Sequence, residues 1–282
     1  MQIGGREFDT KNGCYIMGIL NVTPDSFSDG GKWNTVESAL AHTQHMIDEG
    51  ADIIDIGGES SRPGYESISA QEEIDRTVPI IEAIVSRIDV PISIDTCKSE
   101  VAIAALDAGA NLVNDIWGLK NDPKLAGAVA KYEVPCCLMH NRKNTDYNDF
   151  IIDMLIDMQE TLDIARTAGI SDDKIILDPG IGFAKTHEMN LEAINKLDVL
   201  KGIGFPVLLG ASRKRVVGLT LDLPIEERVE GSVAVAILGL VRGCAFVRVH
   251  DVKETFRAIK MAQAVLGAAG NIVGGRQLAV NS

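Results

Sequence analysis

The chain has 282 residues, of which 46% are hydrophobic and 24% are charged, a composition typical of a folded globular protein and not of a disordered one. Its 27 basic and 40 acidic residues give a formal net charge of −13, so the chain would repel a phosphate backbone and we expect no nucleic-acid partner. The length suits a single α/β barrel or one large open-sheet domain.

Three further features bear on where the protein resides. We expect no signal peptide, because the first residues include acidic side chains and no long apolar run. The longest apolar stretch, residues 233–241, is closed by Arg242 and is too short to span a bilayer. The five cysteines are odd in number and lack C-x-x-C spacing, which favours reduced thiols. We therefore predict a cytoplasmic protein that does not enter a membrane.

Short β-branched runs alternate along the chain with longer segments of helical periodicity. The predicted strands are, in order, residues 15–21, 53–57, 91–95, 112–115, 136–140, 175–178, 206–211 and 246–249. The predicted helices are residues 36–49, 69–87, 98–108, 124–132, 147–168, 188–200, 228–242 and 252–266. Such alternation predicts parallel strands that are covered by helices.

Polar side chains gather where each predicted strand ends, and their number decides between two architectures. They are Asn21, Glu59 with Arg62, Asp95, Asn114 with Asp115, His140, Asp178, Ser212 to Lys214, and Arg248 with His250. In an open sheet with strands about 4.8 Å apart, the first and last of eight strands would lie roughly 34 Å apart, too far to serve one small ligand. A closed sheet brings all these ends to one mouth. We therefore predict a (β/α)8 TIM barrel that forms a single domain over residues 1–282, with the barrel at about 15–267 and a loose tail at 268–282.

Two loops at the predicted mouth carry unusual sets of side chains. Residues 21–31 place Phe27 between Asp25 and Asp29 and end in two glycines, which favours a mobile lid. Residues 59–64 offer two serines and Arg62, a set that suits a phosphate or a carboxylate. Each stretch taken alone is also consistent with an ordinary surface turn.

Positive charge concentrates at the strand ends of this acidic chain, at Arg62, Arg213, Lys214, Arg215 and Arg248. A local excess of positive charge predicts an anionic ligand. The alternative for residues 212–215 is a solvated turn, as for most charge runs.

Acceptor groups are predicted at the same mouth on Asp95, Asn114 and Asp178. Carboxylate and amide groups suit a flat heterocycle with amino and ring N–H donors. The alternative for Asp95 is a helix cap. Metal sites are less favoured: His42 and His45 lie on a helix face turned away from the core, and strand alternation separates Cys136 from Cys137. Residues 233–241 are apolar all round a helix, which favours a dimer contact near the last helices.

Several motifs together resemble one family. NVTPDSFSDGG, GGESSRPG, PISIDTCK, NDIWG, LMH, DPGIGFAKT, GASRK and RVHDV occur in the order and spacing of the dihydropteroate synthases, from about Gly18 to Asp251. The resemblance implies an α/β barrel that joins p-aminobenzoate to 6-hydroxymethyl-7,8-dihydropterin pyrophosphate in folate biosynthesis, with Mg²⁺ present and pyrophosphate released.

The resemblance also implies roles for individual residues. It assigns Asp95, Asn114, Asp178, Lys214 and Arg248 to the pterin, Asn21, Arg62, Arg248 and His250 to the pyrophosphate with Asn21 also at the metal, and Phe27, Ser61, Pro63, Phe183 and Lys214 to p-aminobenzoate. The residues expected to act in catalysis are Asp29, Arg62, Lys214, Arg248 and His250. Ser61 stands where the family usually has Thr, and Arg215 stands where some relatives have Ser. These departures concern the p-aminobenzoate contacts and hence the sensitivity to sulfonamides.

The implied chemistry needs no nucleophilic side chain, because the aromatic amine attacks through its own lone pair. We expect a dissociative, SN1-like reaction in which the site stabilises a dihydropterin cation and the leaving pyrophosphate. Two alternatives remain from the residues alone: a pterin-binding methyltransferase on the same barrel, and a non-catalytic pterin-binding protein. The first would not need Arg62 or the Arg248 and His250 pair, which suit pyrophosphate.

Overall fold

The computed structural model describes residues 1–22, 32–59 and 67–268. Ten strands are assigned within these ranges: β1 (Gln2–Ile3), β2 (Arg6–Glu7), β3 (Tyr15–Asn21), β4 (Ile53–Gly57), β5 (Ile92–Asp95), β6 (Leu112–Asp115), β7 (Cys136–Met139), β8 (Ile175–Asp178), β9 (Leu208–Leu209) and β10 (Phe246–Val249). The α-helices there are α1 (Lys32–Asp48), α2 (Ala70–Arg87), α3 (Ser99–Asp107), α4 (Leu125–Tyr132), α5 (Phe150–Thr167), α6 (His187–Asn195), α7 (Leu197–Lys201), α8 (Arg215–Leu221), α9 (Val229–Val241) and α10 (Val252–Ala268).

The strands β3 to β10 form one parallel sheet in the order β8-β7-β6-β5-β4-β3-β10-β9. Its two outer strands meet: Leu177 of β8 forms a parallel bridge with Val207, and the Leu177 amide donates to the Pro206 carbonyl over 2.9 Å. The sheet is therefore closed into a barrel, and the predicted fold class is confirmed. The division into a barrel at about 15–267 and a loose tail stays a prediction, since α10 includes Ala268 and residues 269–282 lie outside the described ranges.

Alternation along each strand separates the inside of the barrel from the outside. In β4, Ile54 and Ile56 join the large apolar cluster between strands and helices, whereas Ile53 joins a smaller cluster inside the barrel. Asp55 has the same parity as Ile53 and is also buried. The inward-facing side of β4 thus carries the apolar Ile53 first and the polar Asp55 nearer the carboxyl end of the strand.

A short antiparallel hairpin, made by β1 and β2, lies at the amino-terminal end of the barrel. Ile3 and Phe8 from this region pack into the inner cluster with Met17, Leu112 and Phe246. Phe8 contacts the Tyr15 ring edge-on, with centroids 4.8 Å apart. The hairpin closes the end of the barrel opposite the strand ends that carry the polar residues.

The structure differs from the predicted elements in a few places. The predicted strand at 206–211 is reduced to β9, and the predicted helix at 188–200 divides into α6 and α7. The helix α8 and the hairpin strands were not predicted, because each is too short to show a periodic pattern. None of the helices in the described ranges combines the length and apolar character needed to cross a bilayer.

Candidate active site

Two glycines at the carboxyl ends of the strands show how closely the predicted side chains approach one another. A β-carbon at Gly57 would lie 3.7 Å from Asp95 Oδ2 and 3.9 Å from Asn21 Oδ1. A β-carbon at Gly210 would lie 3.6 Å from Asp178 Oδ2, 3.8 Å from Lys214 Nζ and 3.9 Å from the Arg248 β-carbon. The side chains of Asn21, Asp95, Asp178, Lys214 and Arg248 therefore open into one mouth.

Arg248 joins the two groups of side chains at the centre of this mouth. Its Nε donates to Asp55 Oδ2 over 2.5 Å, and its Nη2 donates to Asp95 Oδ2 over 2.6 Å. Burial alone would lower the pKa of Arg248, but the Asp55 and Asp95 carboxylates raise it above the ordinary range. The guanidinium is therefore permanently charged and fixed between strands β4 and β5.

Asp55 belongs to this site although the sequence analysis did not select it. It is fully buried in the middle of β4, and Asn114 Nδ2 donates to its Oδ2 over 3.2 Å. The predicted site residues lie at strand ends, whereas Asp55 lies one layer deeper in the barrel. The usable signal was the single acidic residue in the otherwise apolar run from Ile53 to Ile56, because a charge buried in a strand requires a partner.

The ionisable groups at the mouth are shifted by burial. Burial raises the pKa values of Asp95 and Asp178, although Arg248 opposes the first shift and Lys214 opposes the second. Burial also lowers the pKa of Lys214 to about 8, against the attraction of Asp178. Low hydration of this kind strengthens every charged contact that a ligand makes there.

Lys214 and Phe183 meet on one side of the mouth. Lys214 Nζ donates to the Ile181 carbonyl over 2.6 Å and lies 4.8 Å from the centroid of the Phe183 ring. Two of the five residues predicted to line the p-aminobenzoate pocket are thus in contact.

His250 and Asn21 lie at the rim. The Ser212 hydroxyl accepts from the His250 amide over 3.1 Å and lies 3.1 Å from His250 Nδ1. Asn21 is exposed at the end of β3. Both residues are therefore in positions that a leaving group near the opening could reach.

The predicted cationic cluster is only partly right. The Arg213 guanidinium is paired with the Asp251 carboxylate, from Nε over 2.9 Å and also from Nη2, so its charge is balanced away from the mouth. Arg215 is exposed at the start of α8. The positive charge that faces the mouth in the described residues therefore comes from Lys214 and Arg248.

His140, which the sequence analysis placed at a strand end, is buried there in a polar network. Its Nε2 lies 2.9 Å from Asp157 Oδ2, and its Nδ1 lies 2.9 Å from Lys185 Nζ. Burial and the nearby Lys185 lower the pKa of His140 to about 3. Lys185 was not selected from the sequence, because nothing in a single lysine after a glycine-rich loop distinguishes it from a solvated one.

Five predicted site residues fall outside the described ranges. Phe27 and Asp29 belong to residues 23–31, and Ser61, Arg62 and Pro63 belong to residues 60–66. Their assignments to p-aminobenzoate, pyrophosphate and catalysis stay predictions.

The described residues offer oxygen ligands for Mg²⁺ but no cage. Within residues 1–22, 32–59 and 67–268, no group of three His, Cys, Asp or Glu side chains could hold a metal ion. The amide oxygen of Asn21 lies at the open rim of the mouth, near the Asp95 carboxylate. Because Mg²⁺ usually takes one or two protein oxygens together with water and substrate phosphates, this donor set fits the ion.

Comparisons with known proteins agree with this geometry. A family model described as "Pterin binding enzyme" matches residues 17–250. A dihydropteroate synthase from Clostridium beijerinckii is 58% identical over 267 residues, which cover 94% of this chain and 99% of the relative. The crystal structure of a dihydropteroate synthase from Clostridium difficile, solved in the presence of pteroic acid, has 45% identity and a TM-score of 0.90, and covers 92% of this chain and 99% of that one. A Yersinia pestis dihydropteroate synthase in complex with a sulfonamide drug has 42% identity and a TM-score of 0.87, with coverage of 95% and 99%.

The chain folds as a closed barrel and matches this family over residues 17–250. It is therefore a pterin-binding enzyme. At this level of identity and coverage, the chain belongs to the dihydropteroate synthase family, as the motifs predicted. It is thus a transferase of folate biosynthesis.

Proposed function

We propose that this chain joins p-aminobenzoate to 6-hydroxymethyl-7,8-dihydropterin pyrophosphate by a dissociative reaction at the carboxyl end of the barrel, which yields 7,8-dihydropteroate and pyrophosphate. The observation that carries the proposal is the convergence of Asp95, Asn114, Asp178, Lys214 and Arg248 on one mouth.

The deeper part of the mouth suits the pterin. Asn114 and Asp178 are 4% and 5% exposed, so a flat base that reached them would be almost fully removed from water. Carboxylate oxygens accept hydrogen bonds from amino and ring N–H groups, and an amide can both donate and accept. A buried polar site of this kind discriminates strongly, because a ligand without the matching groups would leave acceptors unpaired.

The balance of charge suits a cationic fragment. Asp55, Asp95 and Asp178 provide three carboxylates at the mouth, and Arg248 and Lys214 provide two cations in the described part of the chain. The carboxylates of Asp95 and Asp178, when ionised, favour positive charge that develops on the dihydropterin.

In the proposed first step, the bond between the pterin methylene carbon and the pyrophosphate oxygen breaks, and its electron pair leaves with the pyrophosphate. Arg248 and His250, with Arg62, bind the leaving group, while Asp95 and Asp29 face the cation. The lone pair of the p-aminobenzoate nitrogen then forms the new carbon–nitrogen bond, and the nitrogen loses one proton. Arg248 can act without reorientation, because Asp55 and Asp95 already fix its guanidinium.

In the proposal, Lys214 and Phe183 form one wall of the p-aminobenzoate subsite. The Lys214 ammonium supplies positive charge for the carboxylate of the substrate, and the Phe183 ring supplies an apolar surface for its aromatic ring. Phe27, Ser61 and Pro63 complete this subsite in the proposal.

Asn21 would hold Mg²⁺ beside the pyrophosphate through its amide oxygen. When bound, the ion would neutralise charge on the departing pyrophosphate. Asp95 lies close enough to influence the same position electrostatically.

The chain is also proposed to form a homodimer through its last helices. Large apolar side chains are exposed there, with exposed fractions of 51% for Leu238, 57% for Val241, 65% for Met261 and 58% for Val265. Helices α9 and α10 pack against each other, so these residues belong to neighbouring elements. An apolar surface on adjacent helices favours association.

Two further properties follow the family. The structural relative from Yersinia pestis has a sulfonamide drug in complex, which supports the proposal that this chain is a sulfonamide target. Cytoplasmic residence is proposed because all five cysteines are free thiols.

The proposal is tested with purified protein, both substrates and Mg²⁺, by chromatographic detection of dihydropteroate and a parallel assay for pyrophosphate. Equal amounts of the two products are expected, with no methyl transfer. Pterin binding without product after addition of p-aminobenzoate would instead favour a non-catalytic binding protein. Sedimentation of the unaltered chain and of a Val241→Glu variant tests the dimer.

A further inference from the structure

The backbone after β8, residues 180–185, has an unusual conformation that side chains from elsewhere hold in place. Gly180, Gly182 and Ala184 have φ values of 70°, 86° and 42°, so alternate residues lie in the left-handed region. Such backbone persists in a non-glycine residue only where the surroundings determine it. We call this stretch the 180–185 segment. It carries Phe183, the proposed aromatic wall of the p-aminobenzoate subsite.

Five carbonyl groups of this segment accept hydrogen bonds from side chains, one of them that of Lys185, which accepts from Asn190 Nδ2 over 3.4 Å. Lys185 Nζ donates to the Gly180 and Phe183 carbonyls over 3.0 Å each. Lys214 Nζ donates to the Ile181 carbonyl over 2.6 Å, and the Tyr147 hydroxyl donates to the Ala184 carbonyl over 2.9 Å. The Phe183 carbonyl and the Ala184 carbonyl that follows it are thus fixed by Lys185 and Tyr147.

Both of these contacts lead back to Asp157 on α5. Along the first route, Asp157 Oδ2 lies 2.9 Å from His140 Nε2, and His140 Nδ1 lies 2.9 Å from Lys185 Nζ. A protonated lysine has only donors, so His140 Nδ1 accepts and its Nε2–H donates to Asp157. The hydrogen bonds to Asp157 and Lys185 therefore fix the orientation of the His140 ring.

The second route runs through Arg142. Its Nη2 donates to Asp157 Oδ1 over 3.1 Å, and its guanidinium lies 4.3 Å from the centroid of the Tyr147 ring. The Tyr147 hydroxyl then reaches the Ala184 carbonyl. Asp157 thus supports two separate contacts to the backbone around Phe183, one made by Lys185 and one by Tyr147.

Asp178, the proposed pterin ligand that precedes this segment, is held through backbone amides. Its carbonyl accepts from the His140 amide over 2.9 Å as part of the strand ladder, and its Oδ1 accepts from the Gly180 amide over 2.7 Å. Backbone contacts of the barrel therefore hold Asp178, whereas side chains hold Phe183.

We propose that Lys185 is a positioning residue for the p-aminobenzoate subsite, which fixes Phe183 through the carbonyls that it binds and is itself held by His140 and Asp157. The inference rests on the proposed function, since it takes Phe183 as a wall of that subsite. Lys185 does not touch the substrate in this scheme.

A purely structural role explains a lysine poorly at this position. An ammonium removed from water costs free energy that an apolar side chain would not, and burial lowers the pKa of Lys185 to about 7. Replacement by methionine should therefore affect binding more than folding.

The test compares Lys185→Met and Asp157→Asn with two matched controls. Lys174→Met removes an exposed lysine that also donates to a carbonyl, and Asp163→Asn removes an exposed carboxylate on the same helix as Asp157. For each variant, the Kd of p-aminobenzoate is measured by calorimetry in the presence of 6-hydroxymethylpterin and pyrophosphate. The Kd of 6-hydroxymethylpterin alone, the KM values and the thermal midpoint are measured in parallel.

Lys185→Met is expected to weaken p-aminobenzoate binding by roughly tenfold or more, with pterin affinity unchanged within about twofold and folding retained. Asp157→Asn should show the same pattern more weakly, and both controls should behave as the unaltered chain. Unchanged p-aminobenzoate affinity in Lys185→Met, or an equal loss of pterin affinity, would overturn the proposal. If Lys185→Met fails to fold, Asp157→Asn decides by the same two affinities.

These titrations do not require turnover. An unaltered chain that binds both ligands but forms no dihydropteroate would contradict the proposed function, while the affinities would still decide the role of Lys185. An unaltered chain that binds no p-aminobenzoate would overturn both.

Discussion

Arg248 and Asp55 form a buried ion pair inside the barrel, with Nε and Oδ2 2.5 Å apart, although 193 residues separate them in the chain. The pair joins the last strand of the barrel to the second, and Asp95 binds the other side of the same guanidinium. An arginine between two carboxylates is held in one orientation, and this orientation is what a site needs in order to bind a leaving group without rearrangement.

Replacement of Arg248 by alanine is expected to reduce kcat/KM by a factor on the order of 10²–10³, because a charged contact to the transition state is lost. The chain should still fold, but with a free energy of unfolding lower by about 3–5 kcal/mol, since Asp55 loses its counter-ion. Urea unfolding and steady-state kinetics measure the two effects. The double variant Asp55→Asn, Arg248→Ala should recover part of the stability and none of the activity. Near-normal turnover in Arg248→Ala would remove this residue from the site.

The Asp178→Asn substitution keeps the size of the side chain and removes one pterin acceptor. We expect loss of useful turnover and weaker pterin binding, because an amide places an N–H donor where the ligand also donates. The fold should remain intact, since the Asp178 backbone is held by the strand ladder. Calorimetry with 6-hydroxymethylpterin and a thermal melt measure the two properties. Pterin affinity equal to that of the unaltered chain would contradict the assignment.

Lys214 gives a prediction about the dependence of p-aminobenzoate use on pH. Burial lowers the pKa of Lys214 to about 8, so the ammonium is charged below that pH and loses its charge above it. Because the substrate carboxylate stays anionic, kcat/KM for p-aminobenzoate should fall as the pH rises through about 8. Lys214→Met should have a low and flat profile over the same range. An unaltered chain whose kcat/KM rises between pH 8 and 9 would show that Lys214 does not act through its charge.

His140 predicts a loss of stability in mild acid. Its pKa is lowered from 6.5 to about 3, so between these values the unfolded chain binds a proton that the folded chain does not. Stability is therefore fully present above pH 6.5 and falls as the pH decreases, by about 1.4 kcal/mol per pH unit from this group. Urea unfolding at pH 7 and pH 5 should show a smaller difference for His140→Gln than for the unaltered chain. The exposed His45→Gln variant is the control, and an equal pH difference in all three chains would refute the prediction.

The architecture was predictable because its signals are repeated. Eight apolar runs, each followed by polar residues and a helix, are compatible with few arrangements, and only a closed sheet brings Asn21 and Arg248 to one opening. The strands β3, β4, β6, β8 and β10 have the predicted limits for the same reason, since glycine or polar residues bound each run. The strand β9 was overestimated, because Gly210 and Ala211 continue the apolar pattern after the ladder has ended.

The site residues at the strand ends were predictable, and those beneath or behind the strand ends were less so. Asp95, Asn114 and Asp178 stand at strand ends, where position alone suggests a ligand. Asp55, Asp157 and Lys185 act through partners that are distant in the chain, and no local pattern reports such a partner. Arg213 shows the converse: a basic residue within a promising motif is neutralised by Asp251, which the sequence presents as part of a helix start.

The hairpin formed by β1 and β2 closes the amino-terminal end of the barrel interior. Ile3 and Phe8 fill the far end with apolar side chains, so within the described residues the mouth is the opening through which ligands enter and leave. In the proposed arrangement the pterin lies deepest in the mouth, so we expect it to bind before p-aminobenzoate. A single opening would thereby set an order of substrate binding that the chemistry alone does not require.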